Sequence, residues 1–361
     1  MHKLITENMP ANYFVEITFI KSRNRTNYVV GDKTSDYPFC QGNVDTFTFS
    51  RKGFTLLARR SGVYADGTIL NNERNGLYQQ IIKGLLVYYA LSNDFPILKS
   101  ITIKRIKSRT ANYVYTETNS FQQPLKPGVP KKYYLPIPFA DEILQETEKA
   151  QALRIALTYW LKAMNSSDSY FRFDRLWKAY DRLLLYEGNT TQERVGIPSI
   201  KILISNNSAL FPISVGITNA YSSVELRSFQ WNALFANKTI GYTKIDELVR
   251  RLTEYSDYRI VSLFQGISNG RKIHQALSNS GNLPIVNNHF AVNAATNHDI
   301  DLVLLLSLTY TYYIRCRLFH GEVIDSTFKL KSTKEDFEVE KLTVLLESVI
   351  FELLSSWGIL R

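Results

Sequence analysis

Alternating apolar and polar positions mark the first third of the chain and predict β-strands there. Between residues 13 and 20, the apolar side chains of Val15, Ile17 and Phe19 fall on one face of an extended segment. Strands are predicted over residues 13–20, 45–50, 54–58 and 99–109, with 112–115 as a hairpin partner of the last. A helical period over 77–91 predicts one helix in the same part. The front of the chain is therefore predicted to be a mainly β, or α+β, module.

The rest of the chain follows the 3.6-residue period of amphipathic helices. Helices are predicted over residues 141–164, 171–186, 222–236, 243–255, 258–278, 299–319 and 334–357. Residues 189–220 are less regular, and the polar, Asn-rich stretch 281–297 is typical of a long loop. The predicted fold class is α+β, with a mainly β module followed by an all-α bundle.

Five prolines lie between Gln122 and Pro138 and indicate an extended connection, because proline fixes φ and donates no backbone hydrogen bond. The charge changes at the same place. Residues 1–140 hold 19 Lys+Arg against 9 Asp+Glu, whereas residues 141–361 hold 24 against 24. Two signals thus predict a basic recognition domain over 1–135 and a helical domain over 136–361.

The net charge of +10 therefore belongs to the front domain and favours a polyanion such as RNA as its partner. The alternative is charge that only keeps the protein soluble. The candidate nucleic-acid contacts are Arg59, Arg60, Lys104, Arg105, Lys107 and Arg109 in front, and Arg175 and Arg182 in the helical part. Each of them is also consistent with an ordinary solvated charge.

Composition narrows the class of protein. With 45% apolar and 21% charged residues, the chain is typical of a globular protein rather than a disordered one. Cys40 and Cys316 are its two cysteines, which exclude a zinc cluster, and no metal site or cofactor is expected. No apolar run reaches the roughly 20 residues that cross a bilayer. The start of the chain does not resemble a secretory signal. A cytoplasmic location without membrane contact is expected.

One segment carries candidate chemistry, at the end of the apolar helix predicted over 299–319. His320 falls in its last turn, and Gly321 suits the left-handed residue that closes a helix. An imidazole that gains and loses a proton beside the guanidinium of Arg315 suits cleavage of a phosphate ester. Cys316, Arg317 and Glu322 are the candidate supporting residues. The plain alternative is a capping histidine with solvated arginines.

Helix geometry separates the two candidate catalytic residues. Positions i and i+5 lie about 140° apart on an ideal helix, so Arg315 and His320 do not share a face, whereas Arg317 does share one with His320. A site that uses Arg315 with His320 therefore needs the long reach of arginine, a distorted helix end or a second subunit.

The residues around this pair resemble the signature of the HEPN superfamily. In that family, Arg-x(4–6)-His ends a late helix, commonly as Arg-Asn-x-Leu-Phe-His-Gly, and Arg315, Leu318, Phe319, His320 and Gly321 match it. The aromatic-rich segment 173–186 is similar to an early HEPN helix that packs on the signature helix. The resemblance covers roughly residues 140–361. A β-containing front domain joined to a helical one also resembles the Apea-like HEPN proteins of bacterial defence.

The resemblance implies a metal-independent endoribonuclease of anti-phage defence or of a toxin-type response. A ribose 2′-hydroxyl would attack the adjacent phosphate, with His320 as general base or acid and Arg315 stabilising the charge of the transition state. HEPN domains usually dimerise so that two Arg/His pairs form one cleft. This chain has a single Arg-x4-His, so a homodimer through the helical domain is expected, with RNA as substrate and a phage-derived or protein trigger.

Two alternatives remain open from the sequence. Active HEPN members often have Asn, Asp or His after the arginine, whereas this chain has Cys316, which supports a site less well. A HEPN scaffold that binds nucleic acid or a protein without cleaving is therefore the second hypothesis. The third is an unrelated helical binding domain in which both motifs arise by chance.

Overall fold

The computed structural model describes residues 5–7, 11–20, 31–36, 44–60, 63–64, 67–106, 113–119, 123–319 and 330–360. Over these residues the chain is an α+β protein, with an antiparallel sheet in front and helices through most of the rest, as the apolar pattern predicts. It divides into two compact units. The front unit comprises Met1–Ser167 with Leu354–Ile359, and the helical unit comprises Asp168–Leu353 with Leu360–Arg361.

The front unit contains the strands and three helices. The strands are β1 (Ile5–Glu7), β2 (Ala11–Ile20), β3 (Gly31–Asp36), β4 (Val44–Ser50), β5 (Gly53–Arg60), β6 (Val63–Tyr64), β7 (Ile97–Ile106) and β8 (Tyr113–Asn119). The helices are α1 (Gly76–Leu91), α2 (Pro138–Leu144) and α3 (Glu148–Met164). In the described part, six strands form one antiparallel sheet in the order β3-β4-β5-β2-β7-β8. The hairpin predicted after residue 99 is therefore present as β7 and β8.

One face of this sheet is packed by helix α1. Tyr13, Val15, Ile17 and Phe19 alternate along β2 and are buried, and the Phe19 ring stacks on Tyr88 of α1 at 4.1 Å between centroids. The opposite face is richer in polar residues and more exposed. The alternation in the sequence therefore placed these strands correctly.

The two units divide after Ser167, not near residue 135. Helices α2 and α3 belong to the front unit because both pack against α1, and Lys33 of β3 binds Asp141 of α2 at 2.7 Å. The prolines and the change in charge mark the connection into α2, which is not the boundary of the compact unit. The predicted helix 141–164 is also two helices, since Thr147 accepts a hydrogen bond from the Ala150 N–H and begins α3.

The helical unit contains more helices than the sequence predicts, because the segments 222–236 and 258–278 each form two helices and the less regular stretch 189–220 also forms two. Its helices are α4 (Ser169–Glu187), α5 (Glu193–Asn206), α6 (Pro212–Asn219), α7 (Ser223–Ser228), α8 (Trp231–Lys238), α9 (Ile245–Leu252), α10 (Tyr258–Ser268), α11 (Arg271–Asn279), α12 (Leu283–Val292), α13 (Asp299–Leu304), α14 (Thr311–Phe319) and α15 (Lys334–Ser356), with a 3₁₀ turn at Ser208–Leu210. The loop predicted over 281–297 is wrong, because α12 occupies most of it and buries Val286 and Phe290 one turn apart.

Helices α13 and α14 form one continuous helix through a π-helical turn, Leu305–Tyr310. The Thr311 N–H bonds to the Leu306 carbonyl five residues back, and the Thr311 hydroxyl donates to the same oxygen at 2.8 Å. Of the described helices, this one alone is long and apolar enough to cross a bilayer. Its apolar window is 61% buried inside the protein, which is the pattern of a core helix.

Candidate active site

A close crossing of two helices positions the groups around Arg315. Helices α4 and α5 pack where Gly196 faces the Leu184 carbonyl, and a Cβ on Gly196 would lie 2.5 Å from that oxygen. Only glycine permits this approach. Because Glu193 lies one turn before Gly196, the crossing brings its carboxylate to Trp177 of α4, whose indole N–H donates to Glu193 Oε1 at 3.3 Å.

Arg315 of α14 is held in this crossing. Its Nη2 donates to the same Glu193 oxygen at 2.8 Å, and its guanidinium lies 4.8 Å from the Phe319 ring centre and 6.0 Å from that of Trp177. The Arg315 side chain is 22% exposed and that of Glu193 is 20% exposed. A fixed, partly exposed guanidinium between two rings can bind a phosphate oxygen from solvent. The structure thereby joins the two segments that resemble the HEPN family.

Asp181 is a further acidic group at this site that the sequence analysis missed. It lies one turn after Trp177 on α4, and its Oδ1 is buried without a hydrogen bond to any described residue. Burial and the Glu193 carboxylate raise the pKa of Asp181 to about 6, against the opposing charges of Arg315 and Arg182. The i, i+4 spacing from Trp177 could have indicated Asp181, whereas nothing local indicated Glu193.

Substitution of Asp181 by Asn is expected to change how stability depends on pH. Because the pKa of Asp181 is raised on folding, its contribution to stability is largest at acid pH and is lost as the pH rises through about 6. Asn does not ionise and has no such loss. The free energy of unfolding of the variant relative to wild type should therefore rise by about 1 kcal/mol between pH 5 and pH 7.5, measured by urea titration.

Asp174→Asn is the matched control for this experiment. Asp174 lies on the same helix and pairs with Lys178 at 2.9 Å. The free energy of unfolding of Asp174→Asn relative to wild type should not rise comparably between pH 5 and pH 7.5. An equal rise in this free energy for both variants, or no rise for Asp181→Asn, would contradict the raised pKa of Asp181.

Tyr312 also belongs to this site: it lies one turn before Arg315 on the same face of α14, and its ring centre is 5.9 Å from that of Trp177. Tyr312 precedes Cys316 by one turn, and burial first and the Cys316 side chain second raise the pKa of Tyr312. The Lys238 ammonium lies 4.3 Å from the Tyr312 ring centre, and burial lowers the pKa of Lys238. Cys316 is half-buried and lies one turn after Tyr312, with which it interacts.

Arg317 does not join Arg315 in one cationic cluster. Its guanidinium lies 3.4 Å from Gln230 Oε1 and 3.7 Å from a Glu335 oxygen, partners that Arg315 does not contact. Two residues along a helix differ by about 200°, so the two arginines point to different surfaces. The predicted residues His320 and Glu322, with Gly321, lie outside the described residues.

The two predicted phosphate contacts of β5, Arg59 and Arg60, lie on opposite faces of the sheet. Arg59 is exposed, on the open face of the sheet. Arg60 is not a surface contact, which corrects the prediction: its side chain is 2% exposed and binds both oxygens of Asp45 at 2.6 Å. Side chains alternate along a strand, so Arg60 joins the buried face instead.

The same alternation separates the basic pair of β7. Lys104 lies opposite Phe14 on the open face, with its ammonium 5.9 Å from the ring centre, whereas Arg105 lies opposite buried Tyr13. The two do not form one continuous basic strip. Lys107 and Arg109 lie outside the described residues.

Of the two predicted contacts on α4, only Arg182 is linked to the candidate site. Arg175 lies 3.7 Å from an Asp174 oxygen and 4.7 Å from the Phe171 ring centre. Arg182 is half-buried and acts electrostatically on Asp181. No group of three or more His, Cys, Asp or Glu side chains that could hold a metal ion occurs within the described ranges.

No known protein family matches this chain, and no curated protein or solved structure is similar to it.

Proposed function

We propose that the protein is a metal-independent endoribonuclease of the HEPN type. The observation that carries the proposal is the position of Arg315, which is bound by Glu193 and lies between the rings of Trp177 and Phe319. This guanidinium lies on the helix that leads into His320. His320 follows Arg315 by five residues in the sequence, and RNA cleavage of this kind uses a cation that binds the phosphate together with groups that accept and donate protons.

The proposed reaction is a transesterification within RNA. The 2′-oxygen attacks the adjacent phosphorus, the bond from phosphorus to the 5′-oxygen breaks, and the products end in a 2′,3′-cyclic phosphate and a 5′-hydroxyl. His320 accepts the 2′-proton or donates a proton to the leaving 5′-oxygen. The second transfer requires a second group, which His320 of a homodimeric partner would supply. Arg315 stabilises the charge that develops on the phosphate oxygens.

The neighbouring carboxyl groups have defined tasks in this proposal. Glu193 orients the guanidinium before RNA arrives, so less conformational entropy is lost on binding. Asp181, with its pKa of about 6, is partly neutral in mildly acid solution, which lessens repulsion of the phosphate backbone.

The basic front unit fits the role of RNA recognition. Its surplus charge lies in residues 1–140, and the open sheet face carries Arg59 opposite Asn12 and Lys104 opposite Phe14. Cations with an aromatic ring are a common means of binding single-stranded RNA. A role in bacterial anti-phage defence or a toxin-type response, with a phage-derived or protein trigger and in the cytoplasm, is part of the same proposal.

The test is incubation of the purified protein with total cellular RNA in EDTA, beside His320→Ala at equal concentration. We expect cleavage by the wild type alone and fragments with cyclic-phosphate ends, with a loss of about 10²-fold or more in the variant. Equal cleavage by both proteins, or cleavage that EDTA abolishes, would overturn the proposal.

A second candidate function is a scaffold that binds RNA without cutting it. The observation that favours it is that the Arg315 guanidinium already has a carboxylate partner in Glu193. RNA bound with submicromolar affinity and recovered intact by both wild type and His320→Ala would support this function.

A further inference from the structure

Lys238, in the last turn of α8, is a half-buried cation with no carboxylate bound to it. Its ammonium lies 4.3 Å from the centre of the Tyr312 ring, and it forms no ion pair or hydrogen bond with a described residue. Burial lowers the pKa of Lys238, whereas its place at the C-terminal end of a helix favours the charged form. A partly desolvated cation that its own fold does not pair is suited to an anion from outside.

Two further cations act on Lys238 from neighbouring helices. The charges of Arg251 on α9 and Arg194 on α5 both lower the pKa of Lys238, and each has a larger effect than the opposing charge of Glu247. Glu247 is already shared, because it binds Arg251 at 2.5 Å and Arg250 at 2.8 Å. Arg194 is exposed and, like Lys238, has neither an ion pair nor a hydrogen bond within the part of the chain that the structure describes. Lys238 and Arg194 are therefore two unpaired charges that repel each other.

Both charges lie beside the candidate active site. The Tyr312 ring, against which Lys238 lies, is one turn before Arg315 on the same face of α14. On α5, Arg194 directly follows Glu193, the carboxylate that binds Arg315. A nucleic-acid strand that places one phosphate at Arg315 can therefore place a neighbouring phosphate at Lys238 and Arg194.

We propose that Lys238 and Arg194 form a second phosphate site, which binds the RNA backbone beside the phosphate that Arg315 binds. The role of Arg315 and the choice of RNA rest on the proposed function. The affinity of the second phosphate site can be measured without cleavage, so the two proposals can fail separately.

The second phosphate site is expected to position the strand without reading its sequence. Lysine binds phosphate as a point charge and arginine binds it as a planar fork, and contacts to phosphate carry no direct information about the bases. The Lys238 ammonium covers the Tyr312 ring, so stacking of a base on this ring is not part of the site.

The test is titration of the full-length protein with a short, labelled, single-stranded RNA whose 2′-hydroxyls are methylated, which blocks the proposed reaction. Fluorescence anisotropy would give the affinity at several salt concentrations. Lys238→Gln and Arg194→Gln should each weaken binding about fivefold and reduce the slope of log K against log salt by about 0.7, since each removes one phosphate contact. Lys272→Gln removes an exposed cation on α11 and should change neither quantity.

Two measurements separate phosphate binding from a structural role of Lys238. Lys238→Arg keeps the charge and should retain the wild-type affinity and salt dependence. Lys238→Gln leaves no carboxylate unpaired and removes the repulsion from Arg194 and Arg251, so its melting temperature should stay within about 2 °C of the wild type.

The cleavage assay provides a second readout, because a substrate with a single phosphate cannot occupy both sites. A dinucleotide with one internal phosphate should gain about tenfold in kcat/KM when a terminal phosphate is added at the end that reaches Lys238 and Arg194. Lys238→Gln should lose this gain. Dinucleotides phosphorylated at the 5′ end and at the 3′ end would show which end it is.

Several outcomes would overturn the inference. They are no binding of the methylated RNA by the wild type, unaltered affinity and salt dependence in Lys238→Gln and Arg194→Gln, or an equal loss in Lys272→Gln. Weaker binding by the first two variants, with no cleavage by the wild type, would support the second phosphate site and reject the nuclease. Cleavage that requires His320, with unaltered binding by both variants, would support the nuclease and reject this site.

Discussion

In the proposed nuclease, replacement of Arg315 by Lys is expected to lower the rate of RNA cleavage about 10²- to 10³-fold. Lysine keeps the positive charge, but it lacks the planar fork that binds two phosphate oxygens and the flat surface that lies between the Trp177 and Phe319 rings. Single-turnover cleavage of a short labelled RNA would measure the loss. The dissociation constant for the same RNA should change much less, because phosphate-backbone affinity is the sum of several cation contacts and this variant keeps its positive charge.

Arg317→Lys provides the matched control on the same helix. Arg317 lies near Gln230 and Glu335, so its conservative replacement should change the cleavage rate less than threefold. Equal losses in the two variants would indicate that α14 as a whole has been disturbed. An unaltered rate in Arg315→Lys would remove Arg315 from the proposed chemistry.

Arg60→Ala is expected to lower the free energy of unfolding of the front unit by about 3–5 kcal/mol. The substitution leaves the Asp45 carboxylate, which is 1% exposed, without its bidentate partner. The loss is a large part of the 5–15 kcal/mol that typically stabilises a folded protein. Urea unfolding followed by the far-ultraviolet signal of the sheet would measure it.

Two further variants separate the loss of an ion pair from other effects. Arg59→Ala, one residue earlier and exposed, should change stability by less than about 0.5 kcal/mol. The double variant Asp45→Leu, Arg60→Met removes both charges and should recover most of the lost stability. Failure of the double variant to recover would show that Arg60 stabilises the sheet by packing rather than by its charge.

Arg60 illustrates what the sequence could and could not establish about the fold. The strand was predicted over residues 54–58, and extending its alternation by two residues places Arg60 with Phe54, Leu56 and Ala58 on the buried face. The charge of Arg60 predicts an exposed side chain, whereas its position in the strand predicts a buried one, and the strand position is decisive. The partner, Asp45, is on a neighbouring strand, and pairing between strands is not encoded at any fixed spacing.

The helical unit shows a different limit. The polar composition of residues 281–297 favoured a loop, but α12 needs to bury only Val286 and Phe290 to pack against α10 and α11. A short helix at the surface requires few apolar residues, so composition alone does not identify it.

The candidate site was predictable only in part. The family resemblance implies that the helices carrying Trp177 and Arg315 pack on each other, and the structure brings the two side chains together. Glu193 was not predictable, because the close approach at Gly196 that positions it depends on how α4 and α5 cross. Helix periodicity could have indicated Asp181, but its raised pKa arises from burial and from Glu193 on another helix, which the sequence does not show.

The π-helical turn at Leu305–Tyr310 has a consequence for comparisons among related genes. A π turn holds one residue more than an α-helix of the same length. The side chains after it are therefore rotated by about 100° about the helix axis relative to those of a regular α-helix. A relative with a one-residue deletion in this segment would form a regular α-helix there. Its counterpart of Arg315 would still face its counterpart of Trp177. A deletion between Thr311 and Arg315 would turn the arginine away. An alignment of related sequences can therefore contain a one-residue gap within 305–310 but should contain none between Thr311 and Arg315.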